Sequence, residues 1–124
     1  MAELNFDIKS KFLKINGKEY EIKCSDLDIA DRAAELQKEF QSHEKEFDAS
    51  SPDGMVKTVE YIHKTRDLID LMLGEGAMKD ITGGKPVGVG YSFYMLKTIS
   101  EGVAQAFNEE VEATRPKKKT NKEK

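Results

Sequence analysis

Apolar and polar residues alternate over residues 11–24, on both sides of an Asn-Gly pair. Asn16 and Gly17 can both adopt the positive φ angles of a two-residue type I′ turn, which predicts a β-hairpin. The register that this turn imposes places Leu13 opposite Tyr20. One face of the hairpin then carries its apolar side chains, which are Leu13, Ile15, Tyr20 and Ile22.

The first ten residues carry a weaker form of the same alternation. Leu4, Phe6 and Ile8 are separated by single polar residues. A third strand and a frayed chain terminus both fit this pattern, and the sequence does not choose between them. Charges at Glu3 and Asp7 interrupt the apolar stretch that a secretion signal requires, so we expect no export by that route.

The first helix is predicted to begin near Ser25, because Ser25 followed by Asp28 resembles a capping box. Its apolar positions recur at helical spacing and comprise Ile29, Ala33, Leu36, Phe40 and Phe47. The stripe is narrow, since Phe40 is the only large apolar residue in its second half before Phe47. We therefore expect this half to protrude or to face a partner, with Phe40 and Phe47 as candidate partner-binding residues.

A second helix is predicted to start after Ser51, with Pro52 at its first position, and to end at Gly74. Its broad apolar face predicts a central place in the core and comprises Met55, Val59, Tyr61, Ile62, Leu68, Ile69, Met72 and Leu73. A short turn follows. We then expect a glycine-rich loop over residues 82–90 and a third helix over residues 92–113.

These elements predict an α+β fold that is mostly helical, with a β-hairpin followed by three main helices in a single domain over residues 1–113. A disordered basic tail is expected over residues 114–124, which carry six basic side chains and one acidic side chain. The net charge of the chain is -3, so residues 1–113 carry -8. Because phosphate binding requires clustered Lys and Arg on a folded surface, this acidic body argues against nucleic acid as a partner.

Groups that carry chemistry are scarce. His43 and His63 have no second His or Cys at the spacing of a zinc site, and Cys24 alternates with Ile22 toward the buried side of the hairpin. The Gly-Lys pair that ends at Lys85 does not match the sequence pattern of a phosphate-binding loop, since proline follows the lysine. We expect no catalytic residue, no metal and no cofactor. A single cysteine and the absence of a membrane-length apolar run predict a cytoplasmic protein that does not cross a membrane.

Residues 69–81 read IDLMLGEGAMKDI. This run resembles a segment of the tail assembly chaperones of long-tailed bacteriophages and related prophages, which carry a similar Asp-x-x-(x)-Gly-Glu-Gly-Ala sequence. The layout of a short hairpin with an Asn-Gly-Lys turn, a charged helix, a central helix ending in glycines, a variable loop and a last helix is also similar to that family. The resemblance covers residues 12–113.

The resemblance implies a non-catalytic protein of the host cytoplasm that keeps the tape-measure protein soluble and recruits the major tail protein. Helical apolar surfaces would bind this client. Flexible methionines suit such contacts, so Met72 and Met78 join Phe40 and Phe47 as candidates, and self-association is a further expectation. The alternatives are a phage structural subunit of the tail or head, or a small nucleic-acid-binding regulator that uses the tail.

Overall fold

The structure is a computed structural model that describes residues 2–23 and 27–114. Its elements are β1 (Phe12–Ile15), β2 (Lys18–Glu21), α1 (Leu27–Ser42), a 3-10 turn (Glu44–Glu46), α2 (Pro52–Leu73), α3 (Ala77–Thr82) and α4 (Val89–Thr114). The predicted fold class, a hairpin followed by a mainly helical body, is confirmed. The predicted Ser25 cap, the predicted position of Cys24 and the predicted tail from residue 115 onward lie outside the described residues.

The hairpin has the predicted turn and register. Asn16 and Gly17 have φ angles of 53° and 80°. Leu13 pairs with Tyr20 across an antiparallel two-stranded sheet. Within the described N-terminal residues 2–10 no strand forms, so the third strand that the sequence left open is absent from this structure.

The core lies where α2 packs against α1 and α4, and the predicted face of α2 is buried at Tyr61, Leu68, Ile69, Met72 and Leu73 but not at its N-terminal end. Met55 and Val59, which the pattern assigned to the core, are 45% and 40% exposed. Thr58 and Thr65, which the pattern did not assign to the core, are buried. A pattern that counts threonine as polar misses these two positions, where the side chains are buried although their hydroxyl oxygens have no hydrogen-bond partner among the described residues.

The prediction that the second half of the first helix protrudes is wrong. The helix ends at Ser42, and the chain turns so that Phe47 folds back onto Phe40, with 5.4 Å between their ring centroids. The Phe40 ring also stacks on Phe93 of α4 at 4.7 Å, and the Phe47 ring meets Tyr61 of α2 edge-on at 5.3 Å. These four rings form one aromatic cluster that joins α1, α2 and α4.

The glycine-rich run after α2 builds a corner. As predicted, α2 ends at Gly74, whose φ of 113° excludes a residue with a side chain, and whose N–H donates to Asp70 O. The predicted turn that follows is a short helix, α3, and the Asp70 carboxylate accepts a hydrogen bond of 2.9 Å from the Met78 N–H in its first turn. The backbone N–H of Lys23 donates to Met72 O, so the corner also holds the end of the hairpin.

Candidate protein-binding groove

The four residues predicted to bind a partner do not form a surface. Phe40 and Phe47 are half-buried in the aromatic cluster. Met72 and Met78 are 2% and 4% exposed and belong to the core. The structure therefore corrects their assignment, because packing against the chain's own helices already occupies these side chains.

A groove of about 820 Å³ lies between β1, the segment of residues 82–88 and the first half of α4. Its lining is predominantly apolar. Its apolar and aromatic lining includes Ile15, Val87, Tyr91, Tyr94, Met95 and Ile99. We call it the β1–α4 groove.

Helical spacing on α4 provides one wall of the β1–α4 groove. Tyr91, Met95, Thr98 and Gly102 recur at steps of three and four, so they lie on one face of the helix. At Gly102 a Cβ atom would stand 3.1 Å from Leu13 Cδ2. The missing side chain lets β1 approach α4 closely and closes this end of the groove.

The opposite wall is an edge of the hairpin. Four consecutive residues of the hairpin, 13–16, line the groove, and no residue of β2 does. Side chains of consecutive strand residues point to opposite faces, so a cavity that meets all four runs along the edge of the strand. The β1–α4 groove therefore follows the edge of β1 that faces away from β2.

Two tyrosines stand at the rim. Tyr91 and Tyr94 are 60% and 58% exposed, and their rings meet edge-on with 5.8 Å between centroids. Tyrosine combines a large apolar ring with a polar tip and loses little rotational freedom on binding, which makes it a frequent residue of protein interfaces. This pair gives the rim of the groove two exposed aromatic rings, each with a polar hydroxyl group.

The charges around the groove differ from those of the body. Its charged lining residues are Lys14 and Lys85, both basic, although residues 1–113 together carry -8. The groove therefore favours an occupant that presents apolar side chains together with carboxylates.

Polar contacts to α3 hold the hairpin wall in place. Asp80 accepts hydrogen bonds from Lys18 Nζ at 2.7 Å and from Tyr20 Oη at 2.5 Å, and Asn16 Nδ2 donates to Ile81 O at 3.3 Å. The bonds from Lys18 and then Tyr20 lower the pKa of Asp80. The bond to Asp80, with burial, raises the pKa of Tyr20 to about 12.

Other polar features of the described residues have structural roles. His43 Nδ1 lies 2.7 Å from Glu46 Oε2, and Lys57 pairs with the same carboxylate. The hydrogen bonds from Lys57, which has the larger effect, and from His43 lower the pKa of Glu46. Among residues 2–23 and 27–114, no group of three or more His, Cys, Asp or Glu side chains is arranged to hold a metal ion. No helix in these ranges has the length and apolarity that a membrane span requires.

Sequence reasoning missed the groove and its tyrosines. The available signal was that Tyr91 and Tyr94 are large aromatics displaced from the apolar stripe of the last helix, next to a Gly/Pro-rich segment. Only the packing of the hairpin beside α4 turns that signal into a concave surface.

A family model matches residues 16–124, and its description is a family of unknown function (DUF6673). The match begins at the turn of the hairpin and includes every helix described above. No curated protein and no solved structure matches the chain.

Proposed function

We propose that this chain, which belongs to the DUF6673 family of unknown function, is a tail assembly chaperone of a long-tailed bacteriophage or prophage. In this proposal it acts without catalysis in the cytoplasm of the bacterial host. It binds the tape-measure protein through the β1–α4 groove and helps to bring in the major tail protein. The observation that carries the proposal is an open apolar groove with two exposed tyrosines at its rim.

Residues 69–81, the run that resembles the tail assembly chaperones, support the proposal through the local structure that they form. Asp70, Gly74 and Gly76 build the corner between α2 and α3, where Gly74 and Gly76 have positive φ angles and Asp70 bonds the first turn of α3. These residues do not line the β1–α4 groove. A similar run in the chaperones would form a similar corner, and this corner places α3 and its Asp80 beside the hairpin.

The chemistry of the groove fits a helical client. A tape-measure protein is long and helical, so its segments expose apolar stripes before assembly. An amphipathic helix can lay such a stripe against α4 between the rim tyrosines and β1, while acidic residues at its flanks meet Lys14 and Lys85. Shielding these stripes would keep the client from aggregating.

Co-expression with the longest helical protein encoded beside this chain, as the candidate tape-measure protein, tests the proposal. We expect the wild-type chain to keep the long protein soluble and to co-purify with it. The double variant Tyr91→Ser with Tyr94→Ser should lose both effects, because it removes the exposed rings without touching the core. The matched control is Val56→Ser with Val59→Ser, which removes exposed apolar side chains of α2 that do not line the groove.

Two results would contradict the proposal. One is a client that stays insoluble with the wild-type chain present. The other is a groove variant that solubilises the client as well as the α2 control does, which would exclude the β1–α4 groove as the binding site.

A phage structural subunit is the second candidate, and one observation favours it. Leu4, Phe6 and Ile8 are largely exposed on an N-terminal segment that forms no helix or strand, as in subunits that exchange arms during assembly. A structural subunit would be present in stoichiometric amounts in purified virions. A chaperone would be absent from them.

A further inference from the structure

We propose that the N-terminal segment, residues 2–9, of one copy of this chain docks as a third strand on the free edge of β1 in a second copy. Leu4, Phe6 and Ile8 then lie in the β1–α4 groove of that second copy. The self-association follows from the surfaces of this chain alone. Competition between the segment and a client is the one consequence that rests on the proposed function.

The N-terminal segment has an apolar face that its own chain leaves uncovered. Leu4, Phe6 and Ile8 are 78%, 83% and 83% exposed, the highest values among the exposed large apolar residues of the described chain. Their period of two places them on one side of an extended chain. Three such side chains in a row form the kind of apolar patch that marks a contact with another surface.

The segment leaves the body at the end of the groove that lies away from the rim tyrosines. Just after it, Lys11 pairs with Glu110 and stands 5.0 Å from the Phe107 ring centroid, near the end of α4. Tyr94 lies 16 positions before Glu110, which is about 24 Å along the helix axis. β1 runs from Phe12 toward the start of α4, so a chain that continued the line of β1 backward from Phe12 would lead away from the rim tyrosines.

A return to its own groove would need a chain reversal next to Lys11. Residues 9–11 read Lys-Ser-Lys and contain no Gly, Pro, Asn or Asp, the strongest turn formers; Ser10 favours turns more weakly. The backbone at Lys11 is also fixed, because Lys11 O accepts a hydrogen bond of 2.7 Å from Ile22 N–H. A second copy is therefore the better source of the occupant.

The edge of β1 can accept an extended chain. In the observed register, Lys11, Leu13 and Ile15 form the hydrogen-bonded positions with β2. The backbone groups of Phe12 and Lys14 consequently point to the other side of β1. That side borders the β1–α4 groove, so an added strand would form backbone hydrogen bonds and place alternate side chains in the groove.

Charge complements shape in this arrangement. With the apolar side chains of the segment in the groove, Glu3, Asp7 and Lys9 occupy its opposite face, where Lys9 Nζ lies 3.7 Å from Asp7 Oδ2. Lys14 points to the corresponding face of β1, opposite to Leu13, and can pair with the Glu3 carboxylate. The segment thus presents apolar side chains and carboxylates, which are the two features that the groove favours.

Light scattering after size exclusion, on the full chain across a wide concentration range, tests the proposal. We expect the wild-type chain to reach twice the monomer mass of 14.0 kDa as concentration rises. The triple variant Leu4→Ser, Phe6→Ser, Ile8→Ser should stay at the monomer mass, and the α2 control Val56→Ser with Val59→Ser should behave as wild type.

Mixing separates the proposed contact from other self-association. The segment triple variant keeps an intact groove, and the Tyr91→Ser with Tyr94→Ser variant keeps an intact segment. Each should be monomeric alone, and a mixture of the two should form a complex. A wild-type chain that stays monomeric overturns the proposal, and so does a triple variant that associates as strongly as wild type.

The outcome of the co-expression assay with a client is independent of the outcome of the light-scattering assay. If the segment blocks the groove, the triple variant should solubilise the tape-measure protein at least as well as wild type does. A dimer that depends on the segment, seen together with no effect on any client, would refute the proposed function and leave the exchange of segments intact.

Discussion

The Tyr20 hydroxyl donates a hydrogen bond of 2.5 Å to the Asp80 carboxylate, although the two residues lie 60 positions apart in the chain. The same carboxylate oxygen accepts from Lys18 Nζ. Because Tyr20 belongs to β2 and Asp80 to α3, this bond fixes the hairpin against the corner that follows α2. The hairpin in turn forms one wall of the β1–α4 groove.

Removing the Tyr20 hydroxyl tests this bond. Tyr20→Phe keeps the buried ring and deletes the donor, so Asp80 retains Lys18 as its partner. We expect the melting temperature to fall by roughly 3 to 6 °C, as for the loss of one net hydrogen bond in a domain of this size. Thermal unfolding followed by circular dichroism provides the measurement. An unchanged melting temperature would show that the bond is replaced by solvent at no cost.

The same pair predicts a dependence of stability on pH. The pKa of Tyr20 rises from 10.0 to about 12 on folding, so its contribution is fully present below pH 10 and is lost as pH rises toward 12. The pKa of Asp80 is lowered from 3.8, so its contribution is present above that value and is lost as pH falls through the lower, folded value.

Urea unfolding at a series of pH values measures this effect. The difference in unfolding free energy between wild type and Tyr20→Phe should be largest at neutral pH and should shrink above pH 10, where the tyrosine ionises in the unfolded chain. A difference that stays constant from pH 7 to pH 12 would contradict the assigned bond.

Truncation of Phe40 separates a core role from a binding role. The Phe40 ring contacts Phe47, Tyr61 and Phe93, so Phe40→Ala should lower the unfolding free energy by about 2 to 3 kcal/mol, somewhat below the value for a fully buried phenylalanine. Phe12→Ala is a matched control, since Phe12 is 52% exposed and its removal should cost less than about 1 kcal/mol. Equal stabilities of the two variants would restore Phe40 as a candidate for partner binding.

The buried hydroxyl of Ser92 predicts a stabilising substitution. Ser92 is fully buried in α4, and its Oγ has no hydrogen-bond partner among the described residues. Ser92→Ala removes an unpaired polar atom and raises helix propensity, so we expect a gain of about 1 kcal/mol in unfolding free energy. Urea unfolding at neutral pH gives the value. A loss of stability would reveal a hydrogen bond that this hydroxyl forms in solution.

Local rules were sufficient for several elements. Asn16 and Gly17 determined the hairpin and its register, because both residues tolerate the positive φ angles of the turn. Ser51 caps α2 by accepting from the Gly54 N–H, and Gly74 ends it. In these cases the residues that define the structure are neighbours in the chain, so the sequence by itself determined the outcome.

Tertiary structure decided which faces are buried and where a partner can bind. The periodic pattern of α2 does not distinguish Met55 and Val59 from Thr58 and Thr65, since the direction from which α1 and α4 approach selects the buried face. Phe40 looked unpartnered for the same reason, because its contact Phe93 is distant in sequence. The β1–α4 groove exists only where the edge of β1 meets α4, and no local pattern encodes the space between two elements.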